Sequence, residues 1–413
     1  MAKDVHPPRG MRDFLPVEKA KRDRVLDTIR DTYKKHGYQE IETPALEDLD
    51  RLTSGQGGDN EKLAYRVMKR GEELERSLVE PNHVLNNDSL ADLGLRFDLT
   101  VPLTRYYATN ASKLPRVFKA IQAGPVWRAE RPQKGRYRQF VQCDIDIIGD
   151  SSILAEVDLL VSSLDALAAI GLGDATIRVN HRELLNELLD NLGVVQADRG
   201  KAMIIIDKLD KIFPSGVTAE MTEKFGAEVG QNTALWLGSS ESVVAGTSLV
   251  PDKLAELFEA VQSRHPGKLR FDPTLVRGMG YYTGTIFEIE HPESGSSIGG
   301  GGRYDGMVGR WTGNDVPAVG ISIGFERAVD LVDEGLGADE HAVVLVLESD
   351  SAKTVANALA AQRDLIALGH SVRLELRPKK LGLLLEQLAE QGISRWASVD
   401  ESTEAPTLKP LRP

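Results

Sequence analysis

Apolar and polar residues alternate along several short stretches of the chain and recur at helical spacing along longer ones. From Phe140 to Ile147 the alternation is strict. Val141, Cys143, Ile145 and Ile147 share one parity; Phe140, Gln142, Asp144 and Asp146 share the other. That period of two predicts a half-buried antiparallel strand. Just upstream, Trp127 and Ala129 fall opposite Arg128 and Glu130. The two runs flank a tip, residues 131–138, whose charged residues are all basic. Together they read as a hairpin with a polar floor and a cationic tip. The segment Arg96-Phe97-Asp98-Leu99-Thr100-Val101 repeats the alternation and predicts another short strand.

Helical spacing appears over residues 17–36, with Val25, Leu26, Ile29 and Tyr33 on one stripe and Gly37 as the stop. It returns over 151–172, with Leu154, Val157, Leu160, Leu164 and Leu167, stopped by Gly171. Between them, Tyr38–Pro44 reads as extended and residues 58–76 as a charged, solvated flap. A strand is expected at 175–179, followed by a mostly helical insertion over about 180–265. From 275 strands resume, with Ser297–Asp305 as a glycine-rich turn and Pro317–Phe325 as a strand running into a helix at Glu326. Residues 332–341 read as a linker. Beyond it a strand (342–347), helix (351–368), strand (371–376), helix (381–391) and strand (396–399) alternate, which predicts a small α/β domain.

Composition narrows the class. Of 413 residues, 41% are hydrophobic and 27% charged, as in soluble globular proteins of two or three domains. A lone Cys143 rules out an internal disulfide and a cysteine-rich metal cluster, and suits a reducing, cytoplasmic setting. No apolar run approaches the ~20 residues that span a membrane, and the N-terminus lacks a signal-peptide pattern. The net charge of −12 repels nucleic acid, so any such contact has to be local, as at the hairpin tip. The eight histidines show no metal-binding spacing, so no protein-held metal is expected.

Each polar strand face, taken singly, could be the wet side of a sheet. The residue types point further: arginine, aspartate, glutamine and threonine, with Arg128 and Arg327 beside glutamates. Arginine's planar fork suits phosphate. Four consecutive glycines, Gly299–Gly302, point to a ligand lying against backbone. The chain carries neither a GxxxxGK[ST] phosphate loop nor a convincing GxGxxG helix start. Lys379, Lys380 and Arg377, at a helix start in the last domain, could touch RNA.

These segments resemble the histidyl-tRNA synthetases, class II aminoacyl-tRNA synthetases. RGMRDFLP, LRFDLTVPL, RAERPQKGRYRQFVQ, LVRGMGYYTGTIFE, GGGRYD and PAVGISIGFER stand in that family's order and spacing over residues 8–331. The resemblance implies an α+β fold: an antiparallel sheet of six or seven strands flanked by helices, with a helical insertion and a small, anticodon-binding-like α/β domain at 342–413. It implies a homodimer, built in part by Gly37–Pro44. It implies histidine activation with ATP, the nucleotide carrying Mg²⁺, and transfer to tRNA(His). Arg128 matches the arginine on the α-phosphate, Glu130 the group near adenine, Arg136 and Arg327 further phosphate contacts. Arg277 matches the arginine that stabilises charge at the α-phosphate, and it is counted among the histidine-binding residues as well. Asp98, Thr100 and Gln142 match contacts to the amino acid's backbone groups. Asp146 and Tyr282, with Tyr281 beside them, match the imidazole pocket. Gln133 and Arg138 match positions near the tRNA acceptor end. Gly280 stands where the family usually carries an acid. Two alternatives share the fold: a histidine-sensing regulatory subunit of ATP phosphoribosyltransferase, and an enzyme that activates an amino acid for another acceptor.

Overall fold

The computed structural model describes residues 5–53, 63–79, 89–132, 135–239, 250–277, 281–333 and 341–411. The chain divides into two compact units: Met1–Asp13 with Leu26–Val332, and Phe14–Val25 with Asp333–Pro413. The helix expected at 17–36 runs from Pro16 to Lys35, so its first half groups with the second unit.

Among the described residues the first unit has eleven strands. They are β1 (Gln39–Glu40), β2 (Leu46–Asp48), β3 (Arg66–Met68), β4 (Ala91–Leu95), β5 (Phe118–Trp127), β6 (Gln139–Ile148), β7 (Thr176–His181), β8 (Leu269–Phe271), β9 (Thr285–Glu290), β10 (Gly299–Arg303) and β11 (Ala318–Ile323). Eight form one sheet in the order β1-β5-β6-β11-β10-β9-β7-β8; the other three form a small sheet, β2-β4-β3. The six central strands are antiparallel, and the short strands β1 and β8 add parallel edges.

The hairpin read from the alternation is β5–β6, paired from Phe118↔Ile148 to Trp127↔Gln139. β6 is more than half-buried, because every residue from Cys143 to Ile148 is buried. Helix Ile153–Ala169 packs across β6 and β11 and covers the apolar side. Its Leu159, Leu160, Leu164 and Leu167 are buried. Each contributes roughly 1.5–3 kcal/mol by leaving water. Leu154 departs from the expected stripe: it lies in the helix's first turn and is 62% exposed. The turn from β6 into this helix requires Gly149, whose φ is +97°; a Cβ there would lie 2.0 Å from the Arg116 carbonyl oxygen.

Two expectations are overturned. Arg96–Val101 is not a strand. β4 ends at Leu95, and a helix, Thr100–Asn110, starts after a short connection in which Asp98 Oδ1 accepts the Val101 N–H at 3.1 Å. An aspartate that bonds the backbone of the helix's first turn outweighs the alternation there. The glycine run is not a turn either, since Gly299–Arg303 is an interior strand of the sheet. The insertion is helical as expected, in Arg182–Leu192, Arg199–Ile206, Leu209–Phe225, Ala227–Ser239 and Asp252–Gln262. The expected flap lies partly outside the described residues; within it, β3 and helix Glu72–Val79 form. Most of the 332–341 linker also lies outside them.

The second unit has a four-stranded sheet among its described residues. Its strands are β12 (Ala342–Leu347), β13 (Ser371–Leu376), β14 (Arg395–Val399) and β15 (Lys409–Pro410), in the order β13-β12-β14-β15. β12 is parallel to both neighbours. Val343, Leu345 and Leu347 pack with Ala358 and Ala361 of helix Ala352–Ala367; Val344 and Val346 pack with Leu388 of helix Leu381–Glu390. Cover on both faces explains why β12 is apolar without interruption. β15, antiparallel to β14, was not expected from the sequence.

Candidate active site

A cleft of about 450 Å³ opens over the polar face of the central sheet in the first unit. That volume suits a small ligand. Strand register orders the sheet face that carries it, of which Asp144, Asp146, Gly300, Gly320 and Ser322 line the cleft. Gln122, Asp144, Ser322, Gly300, Glu288 and Arg178 stand side by side on β5, β6, β11, β10, β9 and β7. The next same-facing row holds Ala120, Asp146, Gly320, Gly302 and Ile286. The glycines serve neighbouring side chains. A Cβ on Gly320 would lie 1.9 Å from Asp146 Oδ1, on Gly302 2.7 Å from the Tyr282 ring, and on Gly300 2.7 Å from the Arg277 guanidinium carbon.

The cleft carries a group of acids. Asp98, Asp144 and Asp146 line the cleft with Thr100, Gln142 and the rings of Tyr281, Tyr282 and Tyr304. Tyr281 and Tyr282 meet edge to face with centroids 4.8 Å apart. The Tyr304 hydroxyl donates to Asp146 Oδ1 at 2.5 Å, while Asp146 Oδ2 is buried without a hydrogen-bond partner. Gln142 Oε1 and Asp144 Oδ1 are likewise buried and unpartnered. Burial pushes Asp146 up to about 7, against the pull of the Tyr304 hydrogen bond and with help from Asp98. Asp144 is raised well above the usual carboxylate range, first by burial and then by Asp146. Buried acceptors of this kind favour a ligand bearing donors and positive charge.

Arg128, Arg136, Arg277 and Arg327 line the same cleft, with Arg128 close enough to Asp98 and Asp144, and Arg277 to Tyr281 and Tyr282, for their charges to interact. Arg128 Nε donates to the Phe97 carbonyl at 3.0 Å, and its guanidinium lies 5.0 Å from the Phe140 ring centre. Arg277 Nη1 donates to Glu288 at 2.9 Å. Burial opposes Arg277's charge, but Tyr282 and Glu288 outweigh it and its pKa is raised. Arg327 donates to the Ser297 carbonyl. Burial, then repulsion from Arg136, lowers its pKa. Arg136 and Glu130 stand 3.4 Å apart. Clustered guanidiniums in a low-dielectric recess favour a polyanion.

A family model described as "Histidyl-tRNA synthetase" matches residues 10–328, more than three quarters of the chain. The chain belongs to the histidyl-tRNA synthetase family. A histidine–tRNA ligase of Leifsonia xyli subsp. xyli is 50% identical over 100% of this chain and 99% of its own length. A probable histidine–tRNA ligase of Tropheryma whipplei is 40% identical over 96% of each. The crystal structure of histidyl-tRNA synthetase from Nostoc sp. matches at TM-score 0.75 and 28% identity, covering 99% of this chain and 95% of that one. A Bacillus halodurans chain titled as an ATP phosphoribosyltransferase regulatory subunit/histidyl-tRNA synthetase shares the fold at TM-score 0.73 and 20% identity, covering 95% and 97%.

For this histidyl-tRNA synthetase family member, the cleft gathers the expected residues Asp98, Thr100, Arg128, Glu130, Arg136, Gln142, Asp146, Arg277, Tyr281, Tyr282 and Arg327. Arg128 and Glu130 lie beyond the end of β5 rather than on a strand. Arg138 does not line the cleft; its backbone N–H donates to the Gly10 carbonyl and its Nε to the Glu130 carbonyl. Gln133 and Gly280 lie outside the described residues. Arg96, whose parity placed it with the polar faces, ties the Thr43 and Pro125 carbonyls instead. Sequence reasoning missed Tyr304, Asp144, Glu288 and Glu326. Glu326 joins Arg12 at 2.5 Å to the Val141 N–H at 3.1 Å on the cleft's rim. Asp144's parity with Asp146 was visible; the other three depend on register and loop path. No described helix is long and apolar enough to cross a membrane.

Proposed function

We propose that the chain is a histidine–tRNA ligase. It activates L-histidine with ATP to histidyl-adenylate and transfers the histidyl group to the 3′ end of tRNA(His). One observation carries the reading: unpartnered buried acceptors and a guanidinium cluster line a single cleft. That combination of charges fits an amino acid laid against a triphosphate. The family relationship supplies the pair of substrates.

Histidine's ammonium lies toward Asp98, Thr100 and Gln142, and its ring between Asp146 and Tyr282. A carboxyl group and a phenol leave buried polar atoms unpaired unless the side chain satisfies both, so other amino acids lose affinity. The histidine carboxylate oxygen attacks the α-phosphorus of ATP, and the bond to the departing pyrophosphate breaks. Arg128 and Arg277 stabilise the charge that builds on the α-phosphate, and Arg136 and Arg327 hold the outer phosphates. Glu130 lies toward adenine. The nucleotide brings Mg²⁺ on its phosphates: Glu326 is engaged by Arg12 and the Val141 amide, and Glu130 stands beside Arg136. The terminal ribose hydroxyl of tRNA(His) then attacks the histidyl carbonyl and AMP leaves; Gln133 and Arg138 approach the acceptor end. The reaction asks for positioning and charge stabilisation more than covalent chemistry from the protein.

The catalytic domain spans 1–331, and 342–413 forms an anticodon-binding-like domain. The working protein is a cytoplasmic homodimer. Histidine-dependent exchange of pyrophosphate into ATP tests the first step, and charging of tRNA(His) the second. Histidine binding without exchange would replace this reading with a histidine sensor. Exchange without charging would mean a different acceptor.

A further inference from the structure

We propose that Arg178 is a positioning residue for adenylate formation: through Glu288 it sets where the Arg277 guanidinium lies. The proposal rests on the reading of Arg277 as the group that faces the reacting phosphate.

Three observations support it. Arg178 and Glu288 are direct cross-strand partners on β7 and β9, and Glu288 is the partner of Gly300 on β10. Gly300 leaves the space that the Arg277 guanidinium occupies. Register, with the path of the segment that carries Arg277, therefore sets an arginine, a glutamate and a second arginine in a line that ends at the cleft.

Glu288 divides its two oxygens between the arginines. Oε2 accepts from Arg277 Nη1 at 2.9 Å and Oε1 from Arg178 Nη1 at 3.0 Å. A carboxylate and a guanidinium left to themselves favour a two-fold pairing. By occupying Oε1, Arg178 holds Arg277 to one bond with Glu288. The remaining Arg277 donors stay available to a phosphate.

Arg178 is itself fixed. Its Nε donates to Asp272 at 2.7 Å and its Nη1 to Glu290 at 3.1 Å. Asp272 is held in turn by the Thr274 N–H at 2.8 Å and hydroxyl at 2.6 Å. Arg178 and Asp272 side chains are 12% and 7% exposed, so that pair is largely shielded from water. Thr274, Asp272, Arg178 and Glu288 thus form a rigid support behind Arg277, of the sort that fixes a reacting geometry.

The test is a double-mutant cycle read by histidine-dependent pyrophosphate exchange. Arg178→Met is expected to lower kcat by up to roughly 100-fold, the cost of about 1 Å of misplacement, with the KM for histidine little changed. Arg178→Lys keeps a cation opposite Glu288 and should recover part of the loss. In an Arg277→Ala background, Arg178→Met should add no further loss. An unchanged kcat in Arg178→Met, or the same fold-loss in both backgrounds, overturns the proposal. If Arg178→Met does not fold, the cycle with Arg178→Lys decides by the same criterion. Absence of exchange in the unmutated protein would strike the functional reading instead.

Discussion

Asp146→Asn separates the cost of the site from its use. The Asp146 carboxyl sits at about 7 rather than the ordinary 3.8, mainly because it is buried. A raised folded-state value means that the folded protein holds this proton more tightly than the unfolded chain does. The contribution of Asp146 to stability is therefore largest in acid and falls as pH rises from about 4 to about 7. At 1.36 kcal/mol per pKa unit the loss amounts to about 4 kcal/mol by pH 8. Asparagine stays neutral and escapes that loss. Its carbonyl can still accept from Tyr304, but its NH₂ takes the place of Oδ2, which has no partner. An unsatisfied buried amide costs about 1–3 kcal/mol. The variant should thus be more stable than its parent by about 1–3 kcal/mol at pH 8 and less stable at pH 4.5. Histidine should bind about 10- to 150-fold more weakly, the worth of a hydrogen bond to a charged group, while ATP affinity holds. Urea unfolding at the two pH values and calorimetric titration with each substrate measure these quantities. Equal destabilisation at both pH values would refute the desolvation argument, and unchanged histidine affinity would remove Asp146 from the pocket.

Arg277→Ala should lower the exchange kcat by about 10²–10³-fold, as loss of a preorganised donor does, while histidine affinity measured by calorimetry changes little; equal losses in both would assign Arg277 to binding alone. Gly320→Ala should displace the Asp146 carboxylate, since the new Cβ would lie 1.9 Å from its Oδ1. The expected result is a histidine KM raised about tenfold or more, with the hydrogen bond to a charged group lost. Glu156→Ala should destabilise the protein by about 3–5 kcal/mol in urea unfolding. It strips Arg303 of buried hydrogen bonds at 2.6 and 2.5 Å and leaves the guanidinium among Asp305 and the Asp150 carbonyl.

The parity of Gln142, Asp144 and Asp146 was legible because a strand's side chains alternate whatever surrounds it. Arg128, Arg277 and Arg327 could be grouped only through the family's motifs, since nothing local in an arginine says which distant strand it faces. Register was not legible at all. That Asp146 meets Gly320, or that Glu288 meets Arg178, follows from how strands pair across stretches of more than a hundred residues. The glycine run misled for a physical reason. Four glycines have high local freedom, which reads as a turn; here β9 and β11 on either side supply hydrogen bonds that hold the backbone extended. Arg96–Val101 misled in the opposite sense: its alternation was real, but Asp98 bonds the backbone of a helix's first turn there. β15, at two residues, is too short to show a period.

A site that holds acidic and basic clusters in one cleft risks collapsing on itself. Here three of the groups are anchored to something other than the opposite cluster. Tyr304 turns Asp146, Glu288 turns Arg277, and the Ser297 carbonyl holds Arg327. Each anchor uses only part of the group's capacity: one of two carboxylate oxygens, or one hydrogen bond from a guanidinium. The rest of the capacity faces the cleft. Groups oriented before a substrate arrives need little reorganisation as charge develops, and that is where electrostatic stabilisation of a transition state gains most. The anchors come from the sheet itself, through Glu288 on β9, and from residues that flank β10, Ser297 before it and Tyr304 after it. The glycines of β10 that leave room for Arg277 and Tyr282 therefore lie between residues that orient Arg327 and Asp146.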